Sequence, residues 1–371
     1  MKTAVHPAFK PRRNEIYAHT SLRGVASLCV VAYHAALFFR PRDANGFVYD
    51  FLGNSFFFVD MFFILSGFIM VESYGARLRK RVDGGVLDGR AVVEFWWRRL
   101  LKILPNYYAA LGLGLVIAVV INLLRNDPFP AQCLAESLTA YVMLVQELGG
   151  GVCYNINQPL WSIVTELIAY IGFPVLVLLL GSPIFMLLLV VCLYGLLFTL
   201  SQEAGPIAGF PSVVRTFGGF VLGMWLAQVH MRVPSSLKTM LQLPAFLGVV
   251  LAVAWGVNTA VILACALLVL VTAADTGVLT RLSQHAWLYR LGRISFSMYL
   301  VHIPLLIFFH LVLSKIEVDT GLSFTSIPGL TIPVGIGIGL AAGFVNYLWI
   351  EWPIERVAKK RRGPLQSGAG T

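Results

Sequence analysis

Three ionisable side chains stand inside long apolar runs, where their types carry chemical meaning. His34 lies in Val30-Val31-Ala32-Tyr33-His34-Ala35-Ala36, Asp60 in Val59-Asp60-Met61-Phe62-Phe63, and Glu166 in Trp161-Ser162-Ile163-Val164-Thr165-Glu166. A charge at the centre of a bilayer costs about 2.5 to 3.5 kcal/mol on insertion scales, so such groups usually face a cavity and have a task. Arg23 precedes His34 on the same run, and the intervening helical rise sets the imidazole roughly 16 Å deeper. An imidazole kept from water stays neutral, and neutral imidazole is the form that accepts a proton. A buried histidine also serves as a hydrogen-bonding link between helices, and the residue alone does not choose between the two. A carboxylate is costlier to bury, which favours function or direct support of it over a purely structural role for Asp60 and Glu166. Arg215 lies one turn from the outer end of its run and is long enough to snorkel to the interface.

A second group of chemistry-bearing residues is basic. Arg98, Arg99 and Lys102 lie in Trp96-Trp97-Arg98-Arg99-Leu100-Leu101-Lys102, just ahead of Pro105 and an apolar stretch. At helical spacing Arg98 and Lys102 share a face with Arg99 beside them, which suits convergence on a polyphosphate. Basic residues in this position also orient spans and meet lipid headgroups, and spacing does not separate these roles. His302 and His310 stand about two turns apart without a supporting Cys or carboxylate cluster, so no metal is expected. No Gly-x-Ser-x-Gly elbow and no phosphate-cradling glycine loop is present.

The elements that must position these residues follow from composition. Of 371 residues, 58% are hydrophobic and 12% charged, with a mean hydropathy of +0.78. A soluble chain carries about twice that fraction of charge, so a water-soluble globule is excluded. A helix needs about 20 apolar residues to cross hydrocarbon with every backbone polar group satisfied. Such blocks fall near residues 20–39, 51–73, 106–124, 159–180, 183–201, 212–229, 244–257, 258–274, 294–314 and 328–350. The seventh and eighth form one long run, split at Gly256 to Asn258.

Lys and Arg placement tests this partition, because cytoplasmic loops carry their excess. With the N-terminus inside, Lys2, Lys10, Arg12 and Arg13 are cytoplasmic, followed by eight basic residues between 74 and 105. Two more lie between 230 and 243, three between 275 and 293, and five after 351, whereas the outer loops hold only Arg40, Arg42, Arg125 and Lys315. The expected fold is therefore all-α: a polytopic integral membrane protein of about ten transmembrane helices, both termini cytoplasmic. The net charge of +10 is accounted for by this asymmetry, and nucleic acid is not called for as a partner. The first run is read as a retained span, since it leads into Phe38-Phe39-Arg40-Pro41 and not into a small-residue cleavage site. Residues 1–356 form the expected membrane domain and 357–371 a basic and polar tail.

Cys133 and Cys153 both fall in the longest outer loop, which faces an oxidising space in a bacterial inner-membrane protein, and are expected to pair. In that loop Leu134, Leu138, Tyr141, Val142, Val145 and Leu148 recur at helical spacing. They predict an amphipathic helix on the outer surface, either covering an entrance or packing on span ends.

Taken together, these segments resemble the acyltransferase-3 family of membrane-bound acyltransferases. The resemblance rests on Ser21-Leu22-Arg23-Gly24 with His34 after Arg23-x10, and on Val59-Asp60-Met61-Phe62-Phe63 through Ser66-Gly67-Phe68. It continues through Arg98-Arg99 to Pro105, Trp161-Ser162 to Glu166, Gly292-Arg293-Ile294-Ser295 to Tyr299 and His302, and Glu351-Trp352-Pro353. Lys102 stands where the family commonly repeats an arginine, keeping the cation but losing the planar fork. Some members append a soluble esterase-like domain after the last span, and no counterpart is expected here.

The resemblance implies a multi-pass enzyme of the bacterial inner membrane, in contact with lipid. It would transfer an acyl group, most often acetyl from acetyl-CoA, to a hydroxyl of an exopolysaccharide, O-antigen or lipo-oligosaccharide, with no tightly bound cofactor. An alcohol attacking a thioester needs a base for its proton, and His34 is assigned that role. Arg23 would contact the donor or stabilise developing charge, and Glu166 or Asp60 would orient the imidazole. Arg98, Arg99 and Lys102 would hold the phosphates of the acyl-CoA donor. Ser66 and Ser295 are candidates to hydrogen-bond the acyl oxygen, Tyr299 and His302 to line the acceptor side, and Trp161 to bind substrate. Direct attack by the acceptor and transient acylation of His34 both remain open. The rivals are a transporter or flippase of a sugar lipid, whose relays also use buried carboxylates and histidine, and a non-catalytic membrane component.

Overall fold

The computed structural model describes residues 7–9, 15–41, 44–76, 78, 88–124, 130–148, 152–200, 209–274, 276–321 and 327–360. Lys2, Lys10, Arg12, Arg13, the basic residues from 77 to 81, and residues 361–371 of the expected tail lie outside them. The helices are α1 (Tyr17–Phe39), α2 (Phe47–Asn54), α3 (Phe58–Met70), α4 (Gly89–Leu124), α5 (Ala131–Val142), α6 (Leu160–Leu178) and α7 (Pro183–Leu200). They continue as α8 (Phe210–Val229), α9 (Ser235–Trp255), α10 (Asn258–Thr272), α11 (Val278–Ser283), α12 (Ala286–Thr320), α13 (Pro328–Asn346) and α14 (Trp352–Lys360). No strand occurs among the described residues.

Nine helical stretches among the described residues are long and apolar enough to cross a membrane, and α10, with 15 residues, is a shorter apolar helix in the eighth expected position. The expected split of the long run is found. Gly256 closes α9 with φ at 72°, a left-handed conformation that only glycine adopts at no steric cost, and extended Val257 opens α10. Two helices extend well past their apolar runs: α4 begins at Gly89 instead of near 106, and α12 runs to 35 residues. Hydropathy marks only the part of a helix that lipid surrounds, and Arg, Lys, Leu and Glu continue a helix beyond it.

Glycine sets the closest approaches. A Cβ on Gly67 of α3 would stand 1.9 Å from the carbonyl oxygen of Phe220, and one on Gly223 of α8 would stand 1.9 Å from that of Ile64. These two helices therefore pack backbone to backbone, as small residues allow in membranes. The same device joins α1 to α12, where a Cβ on Gly292 would lie 2.1 Å from the Thr20 carbonyl oxygen. One turn on, Ser27 Oγ donates to the Ser295 carbonyl at 2.9 Å. At the periphery α7 buries only Met186, Val190 and Leu197, a single stripe, and leaves Ile184 and Phe198 three-quarters exposed as a lipid-facing surface.

The outer loop carries the expected helix, α5, and the Cys133–Cys153 disulfide, with Cα atoms 5.4 Å apart. Tyr141 is buried, and its carbonyl accepts from Tyr107 Oη of α4 at 2.9 Å, so the end of α5 packs against the middle of that helix. The helix is shorter than the apolar pattern suggests. Leu144 turns the chain at φ 59°, leaving Val145 and Leu148 exposed beyond the helix end.

Gly292→Val forces a branched side chain into the Thr20 backbone. It is expected to lower the melting temperature in detergent by more than about 5 °C, or to remove the monodisperse protein altogether. Gly112→Ala, whose Cβ meets nothing within 4 Å, should leave both unchanged.

Candidate active site

On the side that carries the excess of basic residues, a cavity of about 90 Å³, open at its mouth, lies among α1, α3, α4, α6 and α12. Arg23, Arg99 and Lys102 line it together with Glu166, Ser66, Tyr170, Ser162, Ser295 and Tyr299. Arg99 comes from the same helix face as Lys102 one turn on, and its guanidinium lies over three rings, 4.6 Å from Tyr74, 5.6 Å from Tyr170 and 5.9 Å from Phe95. Its buried Nε has no hydrogen-bond partner. Arg98 points elsewhere. It pairs with the exposed Glu94 one turn back and does not line the cavity, where Arg23 takes the place beside Arg99 and Lys102 that was expected of it. Helix geometry explains the exchange, because the face bearing positions 99 and 102 turns inward and carries position 98 out.

His34 is 6% exposed and has three polar neighbours. Its Nδ1 lies 3.0 Å from the Val30 carbonyl oxygen and 3.0 Å from His302 Nε2, and its Nε2 lies 2.9 Å from the Gln158 carboxamide. His302 is fully buried, and its Nδ1 donates to the Tyr299 carbonyl at 2.8 Å. It is thus a hydrogen-bond partner of His34, and it does not line the cavity. His34 itself is not a lining residue of the cavity. Tyr299 joins the two places: its hydroxyl bonds Ser162 in the cavity wall at 2.9 Å, while its carbonyl holds His302.

Neither carboxylate expected to orient the imidazole is among its hydrogen-bond partners. Asp60, fully buried, accepts from Arg215 Nε at 2.8 Å and Arg215 Nη2 at 2.6 Å. Arg215 is only 2% exposed, so it does not snorkel. A bidentate carboxylate inside the bundle matches its fork better than a headgroup at the interface. Glu166 does face the cavity, where its Oε1 accepts from Ser66 Oγ and Tyr170 Oη, each at 2.5 Å. Ser295 lines the cavity but spends its hydroxyl on the Gly292 carbonyl at 2.8 Å, and Trp161 packs its ring 6.0 Å from that of Phe63 without lining the cavity.

Two contributors escaped the sequence reading. Gln158 is neutral and lies in the turn before α6, where a search for buried charge passes over it. Tyr170 stands one turn after Glu166 on α6, a spacing that pairs the two. At the inner end of the cavity's cations, buried Glu351 accepts from Ser297 at 2.7 Å and lies within electrostatic reach of Lys102 and Arg23.

A bundle of membrane-length helices, with cations lining one cavity and a buried imidazole pair beyond it, is the frame that holds these side chains. A family model described as an acyltransferase domain matches residues 17–347, and the chain belongs to this acyltransferase-3 family of membrane acyltransferases. It is 27% identical to "Acyltransferase MdmB" of Streptomyces mycarofaciens over 95% of both chains. It is also 35% identical to "Protein 2 in picA locus" of Rhizobium radiobacter, over 25% of this chain and 40% of the relative. No solved structure matches it.

The pairing of Asp60 with Arg215 predicts a structural penalty when one partner is removed. Asp60→Ala or Arg215→Leu should each destabilise the protein by about 3 to 5 kcal/mol, since each strands a buried charge. The double substitution should cost less than the two single losses combined, measured by thermal or denaturant unfolding in detergent.

Proposed function

We propose that this protein transfers an acyl group, acetyl foremost, from acyl-coenzyme A to a hydroxyl of a cell-surface or exported carbohydrate, in the cytoplasmic membrane of a bacterium. The observation that carries the reading is that Arg23, Arg99 and Lys102 line one cavity whose wall, through Tyr299, is bonded to the His34–His302 pair. Three cations around a confined mouth suit the phosphates of a nucleotide thioester, and the aromatic cage preorganises Arg99 for them. The excess of basic residues assigns that mouth to the cytoplasm, where acyl-CoA is found.

The pantetheine arm enters along Ser66 and Glu166 toward Tyr299 and Ser162. For the thioester to meet the imidazole, the Tyr299–Ser162 hydrogen bond opens. The acceptor hydroxyl then gives its proton to His34 as its oxygen bonds the acyl carbon, the carbon–sulfur bond breaks, and the departing thiolate takes the proton back. Arg23 contributes positive charge beside the donor. His34 lies roughly 16 Å beyond Arg23 along α1, in the outer half of that helix, so donor and acceptor approach it from opposite faces.

His34→Ala should lower kcat by about 10² to 10⁴ while donor KM changes little, as expected for loss of a general base. Arg99→Ala combined with Lys102→Ala should raise donor KM at least about tenfold, and Arg98→Ala should leave it within about twofold. Radiolabelled acetyl transfer in membranes measures both, and the reverse pattern removes the assignment. Ester content of surface polysaccharide with and without the chain identifies the acceptor.

A further inference from the structure

His302 is fully buried beside His34, and the direction of its hydrogen bonds can be worked out from acceptors that have no choice. The Tyr299 carbonyl can only accept, so the His302 Nδ1 that meets it at 2.8 Å carries the proton. With one proton on the ring, His302 Nε2 is a bare lone pair. His34 Nδ1 faces that lone pair at 3.0 Å and the Val30 carbonyl at 3.0 Å, two acceptors, so His34 Nδ1 is protonated. The bare nitrogen of His34 is then Nε2, which stands 2.9 Å from Gln158 Oε1, itself an acceptor, so this assignment requires the carboxamide to be turned. The amide end of Gln158 suits it, and a half-turn of the side chain exchanges oxygen for nitrogen.

We infer that His302 is a positioning residue for His34, holding its ring with Nε2 bare toward the acceptor and sharing the proton that the reaction delivers. The inference rests on the acyl-transfer reading of the site. As the acceptor hydroxyl gives its proton to His34 Nε2, the Nδ1 proton of His34 moves toward His302 Nε2, and His302 keeps its own Nδ1 proton on Tyr299. When the thiolate departs, the transfers run backward: the shared proton returns to His34 Nδ1 and Nε2 releases its proton to sulfur. No proton is gained or lost by the pair. In an oriented Ser-His-Asp triad the carboxylate fills this supporting position, whereas here an uncharged ring does so inside a membrane, where a carboxylate is costlier to bury.

Two His302 variants test the assignment against His34→Ala as the reference. His302→Leu removes the acceptor and should lower kcat by about 10² with donor KM within about twofold. His302→Gln keeps an acceptor oxygen but cannot take the proton, and should recover at least about tenfold over His302→Leu without reaching wild type. A His302→Leu enzyme with kcat near wild type overturns the inference, as does a loss carried in donor KM or a Gln variant no better than Leu. Nitrogen-15 spectra of histidine-labelled protein provide a readout independent of turnover: a protonated His34 Nδ1 and a bare His302 Nε2 are expected, and a protonated His302 Nε2 overturns it. If His34→Ala keeps transfer while the spectra show the expected protons, the functional reading fails and the pairing stands.

Discussion

Two helices that enter the bundle from the same side, α1 and α12, run parallel and in contact, and their spacing decides the rest of the site. Gly24 meets Gly292, Ser27 meets Ser295 and His34 meets His302, with a separation of 268 at both hydrogen-bonded pairs. A constant offset over three turns requires that the helices neither slide nor diverge. Only the absence of side chains at Gly24 and Gly292 lets the backbones approach closely enough for that. Hydrophobic sequestration gives little preference between neighbouring lipid and a neighbouring helix, so close packing and a few interhelical hydrogen bonds must fix the register. A larger residue at the glycine crossing would separate two imidazoles that sit ten residues further along.

Charge burial follows a consistent division. Where Asp60 and Arg215 meet, both charges are consumed by each other, and α3 and α8 are locked at the height where their glycines interlock. Arg293 is treated likewise, bonding Tyr347 and Glu355, each at 2.6 Å through Nη2. Such pairs add little net stability over an apolar alternative, but each specifies one relative height of two helices. In the cavity the balance differs: Arg23, Arg99 and Lys102 line it with Glu166, whose Oε1 is taken by Ser66 and Tyr170, and Glu351 lies within electrostatic reach of Lys102 and Arg23. Arg99 is steadied by aromatic faces, which hold a cation without neutralising it.

Much of this was legible in the sequence because the signals are local. The spans follow from apolar blocks, the split at Gly256 from a helix-breaking turn, and the Cys133–Cys153 pair from two cysteines in one outer loop. His34, Arg23, Glu166 and Asp60 stood out because charge in an apolar run is conspicuous. What stayed hidden depends on which face of a helix looks inward and which distant residue waits there. Arg98 and Arg99 differ by one position, yet one meets Glu94 and the other a ring of aromatics. The match of Asp60 with Arg215 spans 155 residues, and Gln158 carries no charge to draw notice.

The separation of cavity and imidazole by Tyr299 has a physical logic on the proposed reading. A thioester held beside an activated base in the presence of water would hydrolyse, and an enzyme that admits its donor from an aqueous mouth faces that hazard at each turnover. On that reading the Tyr299 Oη–Ser162 hydrogen bond stands between the donor's side and the base until it opens. Because the same residue offers its carbonyl to His302, the backbone that positions the base stays fixed while the ring moves. Gating and support thus reside in different atoms of one tyrosine, which lets the barrier open without disturbing the imidazole pair behind it.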